Sequence, residues 1–426
     1  MVLSRSLRND VVALLDIGSS KISCAILQRH HDKRTSSSQV IGFSQRRAEG
    51  IRSGMIVDFD RAEHAVRGVI GDAETNAKTR VKNVRVAYSS SQLSSNHFIA
   101  NFKLETGRVR PEDIKRIIIS ARQYAERKGR KLIHLNIIHY TLDGEAGINN
   151  PVNMIGRWLC CQIHAITTTL TSLKNLESLI ERCHLSVHDI VPASFTSATA
   201  VTTMDEQKLG VTCIDIGAYA TKIAAILDNK FIYNDTISIG GSILTHDIAK
   251  ALSISVAEAE EIKTLHGTVL YQNRVGDLDL SRWKSKANQL VIYKTSHGDR
   301  REISVVELSS ILLSRTRRQL EFIKERLDKS VITREFTQNI VLTGGASKLN
   351  GLYDLAFEIF NRPVRIGNPL SFNGVPSEYQ GPSLSTLAGL SVVDMKTEEM
   401  IYLNDVDTPL DELYIKRMEQ WLRESF

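Results

Sequence analysis

Two short segments of this chain carry the residue types that handle phosphate. Asp16-Ile17-Gly18-Ser19-Ser20-Lys21 and Asp215-Ile216-Gly217-Ala218-Tyr219-Ala220 each put a carboxylate at the end of an apolar run. A glycine and a turn of small or polar residues follow, then a second apolar run ending in Ile-Leu. An aspartate at a strand end suits a hydrated cation, and the amides of the turn can point at an anion. In the first copy, Gly18, Ser19 and Ser20 would bring the backbone to the phosphates while Lys21 pairs with a terminal phosphate oxygen. Asp16 and Asp215 would each hold a magnesium ion through water. A third glycine turn, Gly344-Gly345-Ala346-Ser347, ends the apolar run 339–343 at the entrance of a helix. Only glycine lets a backbone come that close to a flat base or ribose. Glu260 and Lys263, three apart on one helical face, suit hydrogen bonds to base and ribose, or equally an ordinary surface ion pair. The bland alternative for the first segment is a β-turn with a solvated lysine, and the duplication weighs against it.

The positioning elements follow from periodicity. Residues 11–27 and 210–227 read as strand, tight turn and strand, with further strands at 40–45 and 230–239. Residues 58–78 repeat Ala62, Ala65, Val66, Val69, Ile70 and Ala73 at helical spacing. Between about 81 and 164 the texture changes to a small α+β unit. It holds a strand at 84–88, a serine-rich turn, a helix opened by Pro111 and reaching 127, and extended runs at 131–142 and 158–166. Helical spacing resumes at 172–183. In the second half, helices are expected up to 252, over 256–265 (ended by Gly267), over 304–329 and over 351–360, with a polar hairpin excursion at 273–301.

The 426 residues suit about two to four subdomains, since single cores stop growing near 250–300 residues. Hydrophobic residues at 42% and charged residues at 24% exclude a disordered chain. The net charge of +6 fits an acidic partner or anionic lipid but is too small to argue for nucleic acid. Five cysteines, an odd number without CxxC spacing, argue against a disulfide framework and a zinc site. No signal peptide is evident, and no apolar run approaches the roughly 20 residues that span a bilayer, so the body is expected in the cytoplasm. The C-terminus is a separate signal. Tyr414, Ile415, Met418, Trp421, Leu422 and Phe426 share one helical face, and Lys416, Arg417, Glu419, Gln420, Arg423 and Glu424 take the other. Behind an acidic linker this reads as an interfacial helix for an anionic membrane surface; the alternative is a helix docked on its own protein or on a partner.

Two such hairpins facing each other across a cleft follow the logic of the actin/Hsp70/sugar-kinase ATPases. The expected fold is α/β: an actin-like (ribonuclease H-like) two-lobed ATPase core with an inserted α+β subdomain and a C-terminal amphipathic helix. Nearly end to end the chain resembles the FtsA family, actin-like bacterial cell-division proteins that tether FtsZ filaments to the membrane. The resemblance is carried by the two Asp-Ile-Gly loops, GINNPVNMIG (147–156), EAEEIKTLHG (258–267), IVLTGGASKLNGL (340–352) with PVRIGNPL after it, and the tail IKRMEQWLRESF. It implies subdomains 1A (1–82 and 165–195), 1C (83–164), 2A (196–240 and 336–394) and 2B (241–335), a linker (395–411) and a membrane-targeting helix (412–426). ATP with Mg2+ is expected in the central cleft, and self-association into filaments through 1C. The FtsZ C-terminal peptide is expected on 2B, where Arg315, Arg317 and Arg318 offer a basic surface. Only Arg315 falls where the family pattern has arginine, and Arg318 stands where an acidic residue is common. Ile415, Lys416, Met418, Trp421, Leu422, Arg423 and Phe426 would meet the membrane. The resemblance places such a protein on the cytoplasmic face of the bacterial cell membrane at the septum, with other division proteins as further partners.

The second loop departs from the family's DIGGGT: Ala218 and Tyr219 replace glycines and Ala220 replaces the threonine. A β-carbon costs about 1 kcal/mol or more where the backbone must take positive φ. The departure predicts a weakened phosphate grip and at most slow ATP hydrolysis, with no catalytic residue assigned. Two rival readings keep the fold: a phosphotransferase acting on a small acceptor, and a nucleotide-independent adaptor built on a disabled ATPase core.

Overall fold

The computed structural model describes residues 10–31, 36–270, 289–295, 298–330, 339–369 and 372–393. Most of the expected excursion at 273–301 and the whole of the linker and C-terminal helix lie outside the described residues.

The duplication seen in the sequence extends to whole sheets. In the first, strands Asp10–Ile17, Lys21–His31 and Ser36–Arg47 form an antiparallel meander, and Asn83–Tyr88 and Ser186–Pro192 add in parallel beside the aspartate-bearing strand. In the second, Val211–Ile216, Thr221–Leu227 and Lys230–Ile237 form the meander, with Asn339–Thr343 and Val364–Ile366 added in the same order. Each aspartate strand is central. All six residues of Val211–Ile216 are buried, which is why that strand reads as an apolar run and not as an alternation.

Helices cover these sheets, the first of them with the face that its periodicity predicts. Helix Phe59–Ala77 lays Ala62, Val66, Val69 and Ala73 on the first sheet and is capped by Asp58, whose carboxylate accepts from the Arg61 amide at 3.1 Å. Helix Val305–Asp328 begins with a Ser304/Glu307 capping box and buries Leu308, Leu312, Leu320 and Ile323 against the second sheet's side. Two short helices that sequence periodicity does not reveal, Ala193–Val201 and Ser385–Val392, share one core with both sheets. They pack so closely that a β-carbon on Gly389 would lie 1.8 Å from the Thr196 carbonyl oxygen.

Between Asn83–Tyr88 and helix Leu170–Arg182 the chain leaves the first lobe to build a four-stranded sheet. Its order is Ser94–Lys103, Trp158–Thr169, Arg130–Leu142, Glu145–Ile148. Helix Pro111–Ala125 packs on it through Ile114, Ile117 and Ile118. That helix stops two residues short of the expected 127, where Lys128 and Gly129 turn the chain at φ +57° and +71°. The inserted sheet also reaches the second lobe. His164 Nδ1 lies 2.8 Å from the Phe231 carbonyl oxygen and His97 Nε2 2.7 Å from that of Ile232. Asn136 Nδ2 donates to Phe231 at 3.0 Å, and Lys230 Nζ donates to the Ile138 carbonyl at 2.6 Å. Among the described residues no helix is long and apolar enough to cross a membrane.

Candidate nucleotide-binding cleft

The two hairpins close identically. The last pairs are Ile17 with Ile22 and Ile216 with Thr221, leaving four residues in each turn, Gly18 to Lys21 and Gly217 to Ala220. Glycine is required here by close approach. A β-carbon on Gly18 would sit 2.6 Å from the Lys21 carbonyl oxygen, and one on Gly217 2.9 Å from that of Ala220. Neither glycine takes a positive φ, and neither do Ala218, Tyr219 or Ala220. The backbone strain expected from the missing glycines therefore does not arise, and the substitutions act only through the space they fill. The Arg52 guanidinium stands over the Tyr219 ring at 5.7 Å, and Ser53 Oγ donates to the Tyr219 carbonyl at 3.2 Å. The second-lobe turn is thus seated on the small first-lobe ribbon of Ile51–Arg52 and Met55–Ile56.

A cleft of about 1310 Å³ lies between the turns, ample for a nucleotide. Asp16, Gly18, Ser19, Ser20 and Lys21 line it from one side, and Asp215, Gly217, Glu260, Lys263, Gly344, Gly345 and Ala346 from the other. Ser347 does not line it: the side chain is buried and its hydroxyl donates to the Gly344 carbonyl at 2.8 Å. The diglycine enters a single 3-10 turn, Gly345–Lys348, and the helix Leu352–Phe360 begins only after Gly351, so this turn is not the helix entrance expected. Gly344 has φ +88°, and a β-carbon there would meet Asp215 Oδ1 at 2.3 Å, so the third turn rests directly on the second aspartate.

Glu260 and Lys263 do form the i,i+3 ion pair, at 2.7 Å, and they form it inside the cleft wall. Lys263 also donates to Thr245 Oγ1 at 2.8 Å, and that hydroxyl donates to Glu260. Burial raises the Glu260 pKa, but the hydrogen bonds from Lys263 and Thr245 outweigh it and the net shift is downward.

The residue that sequence reasoning missed is Lys222. It stands directly across the strand pair from Asp215, its Nζ 2.7 Å from Asp215 Oδ2. Thr386 completes the triangle, accepting from Lys222 at 3.0 Å and donating to the same carboxylate oxygen at 3.2 Å. Lys222 is the one charge inside the apolar run that follows the second turn, and the matching place in the first hairpin is Ser23, opposite Asp16. Burial pushes the Asp16 pKa up, Lys222 draws it down, Asp215 pushes it up again and Lys21 draws it down; the net shift is upward. Burial depresses the Lys21 ammonium, and Lys348 adds to this, so its net shift is downward. For Lys222, burial is outweighed by Asp215 and Asp16, and the pKa is raised.

These donors fit a polyphosphate: two close-approach glycine turns, the Lys21 ammonium and a roomy, partly apolar wall. They do not fit the expected magnesium ion on Asp215. One oxygen of that carboxylate holds Lys222 and Thr386, and the other lies under Gly344. Of the three arginines expected to meet a partner, Arg315 is paired with Asp247 at 2.6 Å and Arg317 with Glu358 at 3.0 Å, while Arg318 is exposed. All three lie on helix Val305–Asp328, outside the cleft lining.

Comparison with known proteins accords with this geometry. The family model "Cell division protein FtsA" matches residues 212–389, and "SHS2 domain inserted in FTSA" matches 90–167. The cell division protein FtsA of Agrobacterium fabrum is 33% identical over 99% of this chain and 96% of its own length. Among solved structures, a chain of the PilM–PilN type IV pilus biogenesis complex superposes with TM-score 0.60 at 16% identity, covering 91% of this chain and 98% of that one. MreB5 of Spiroplasma citri bound to ADP superposes with TM-score 0.54 at 12% identity, covering 93% and 98%. With its duplicated sheets, its inserted α+β unit and a relative matching nearly end to end, this chain belongs to the FtsA family of cell division proteins and has the actin-like fold.

Proposed function

We propose that this protein is a membrane-anchored, ATP-binding actin-like scaffold that tethers FtsZ filaments to the inner face of the cell membrane and recruits further division proteins. The carrying observation is the cleft between two hairpins of identical closure, each with its glycine pressed against the far side of its own turn. The Gly18–Ser20 amides and Lys21 receive the phosphates, and the adenosine lies toward Gly344, Gly345, Ala346, Glu260 and Lys263. ATP acts here as a conformational ligand that joins the lobes more than as a substrate, in keeping with Ala218 and Tyr219 in the second turn. No step is assigned to a metal ion, because Asp215 is already held by an ammonium.

The inserted unit, 94–169, serves as the filament contact, and the 241–335 region with Arg315, Arg317 and Arg318 receives the FtsZ C-terminal peptide. One tail helix with Trp421, Leu422 and Phe426 on its apolar face binds lipid weakly, and polymerisation multiplies many tails into firm attachment. Flotation with anionic liposomes tests the reading. FtsZ should float only when this protein and ATP are present, and Trp421→Glu should leave both proteins in the bottom fraction without changing the melting temperature. Flotation of the Trp421→Glu protein, or FtsZ floating without this protein, would refute it.

A further inference from the structure

We propose that the Lys222 ammonium is a resident cation of this cleft, standing where a divalent metal would otherwise hold Asp215, so that a nucleoside triphosphate binds here without magnesium. The inference rests on the nucleotide reading above and concerns what that site needs in order to bind.

The geometry is that of a built cation site. Asp215 is only 3% exposed and Thr386 4%, and the Lys222 side chain, 12% exposed, lines the cleft. An ammonium has three hydrogens to donate. One goes to Asp215 Oδ2 and one to Thr386 Oγ1; among the described residues the third finds no acceptor, leaving it for a ligand oxygen. Register locks the arrangement, because Asp215 and Lys222 are direct cross-strand partners in a hairpin whose turn is held by the Gly217 amide donating to Ala220 at 2.9 Å. Gly344 packs against the other carboxylate oxygen, close enough that one added carbon would lie 2.3 Å from it, which crowds a hydrated ion on that side. Asp16 and Asp215 are balanced by Lys21 and Lys222, so the phosphate end presents no excess negative charge that a metal must first neutralise. An ammonium supplies charge and hydrogen bonds. It does not bridge phosphate oxygens or lower the pKa of a bound water as a divalent ion does. Binding is thereby uncoupled from hydrolysis.

The test is equilibrium titration of the full chain with ATP by calorimetry, in excess EDTA and in excess Mg2+. The wild-type dissociation constant should differ by less than about threefold between the two conditions. Lys222→Met should bind at least about tenfold more weakly in EDTA and regain part of that with Mg2+, as loss of one charge-assisted contact requires. A wild-type affinity that falls about tenfold or more in EDTA would overturn the inference while keeping the nucleotide reading. An undiminished Lys222→Met affinity in EDTA would do the same. Absence of wild-type binding in both conditions would remove the nucleotide reading and this inference with it. Should Lys222→Met fail to fold by circular dichroism, the wild-type comparison alone decides.

Discussion

A pair of glycine-to-alanine substitutions, chemically identical and opposite in sign, tests the packing that joins the lobes. Gly389 lies in helix Ser385–Val392, where a new β-carbon would fall 1.8 Å from the Thr196 carbonyl oxygen of helix Ala193–Val201. An ordinary contact needs at least about 3.4 Å, so the two helices must part by roughly 1.6 Å, across a core that interiors hold at crystal-like density. The neighbours that would be pried apart include Ala198, Leu387, Ala388 and Leu390, all in the core shared by both sheets. Overpacking of this kind costs about 1–3 kcal/mol or more, while alanine's better helix propensity returns about 1 kcal/mol. The obstructing atom is backbone, so the strain cannot be relieved by a rotamer, and Gly389→Ala should lose about 2 kcal/mol net. Gly71 is the control. It sits in helix Phe59–Ala77 with nothing within 4 Å of its added β-carbon, so Gly71→Ala should gain about 1 kcal/mol. Thermal unfolding followed by circular dichroism should place Gly389→Ala about 2 °C below wild type and Gly71→Ala about 1 °C above. A Gly389→Ala protein that melts at or above wild type would refute the packing argument.

Two further outcomes are expected. Thr386→Val removes the hydroxyl that joins Lys222 to Asp215 and should lower stability by about 1–2 kcal/mol, and an unchanged urea midpoint would dismiss that triangle as inconsequential. Among the described residues His134 has no partner for either ring nitrogen; it faces the Phe195 and Phe231 rings and is pushed by burial down to about 4. The unfolded chain, titrating near 6.5, then binds the extra proton, so stability is full above about pH 6.5 and declines as pH falls toward 4. At pH 5 this one ring should cost about 2 kcal/mol. A His134→Leu protein should escape that share of the acid loss; equal acid sensitivity of the two proteins would show the ring is not its source.

What the sequence revealed and what it hid have physical reasons. The paired Asp-Ile-Gly turns are local, so their closure was legible from residue types alone, and the amphipathic helix over 59–77 announced its buried face through spacing. Helices Ala193–Val201 and Ser385–Val392 left no such stripe, because small residues are buried on every side of them. Lys222 was hidden for a different reason. Its importance follows from register, which joins residues 215 and 222 only once the four-residue turn is known. The β-carbon penalty at Ala218 and Tyr219 was misjudged because sequence shows a missing glycine but not the φ that glycine would have had.

The inserted sheet has a consequence for how the molecule moves. It is spliced into the first lobe, yet His164, His97, Asn136 and Lys230 tie it to strand Lys230–Ile237 of the second. The lobes are therefore braced at three places: the helix pair, the ribbon under Tyr219 and this outrigger. A body supported at several points cannot swing like a book cover; it must shear at one support or carry the brace along. With the Asn234 amide donating to Ser95 Oγ at 3.2 Å, five bonds of this kind couple the sheet to the second lobe, so a rotation of one lobe against the other must break them or take the inserted sheet with it.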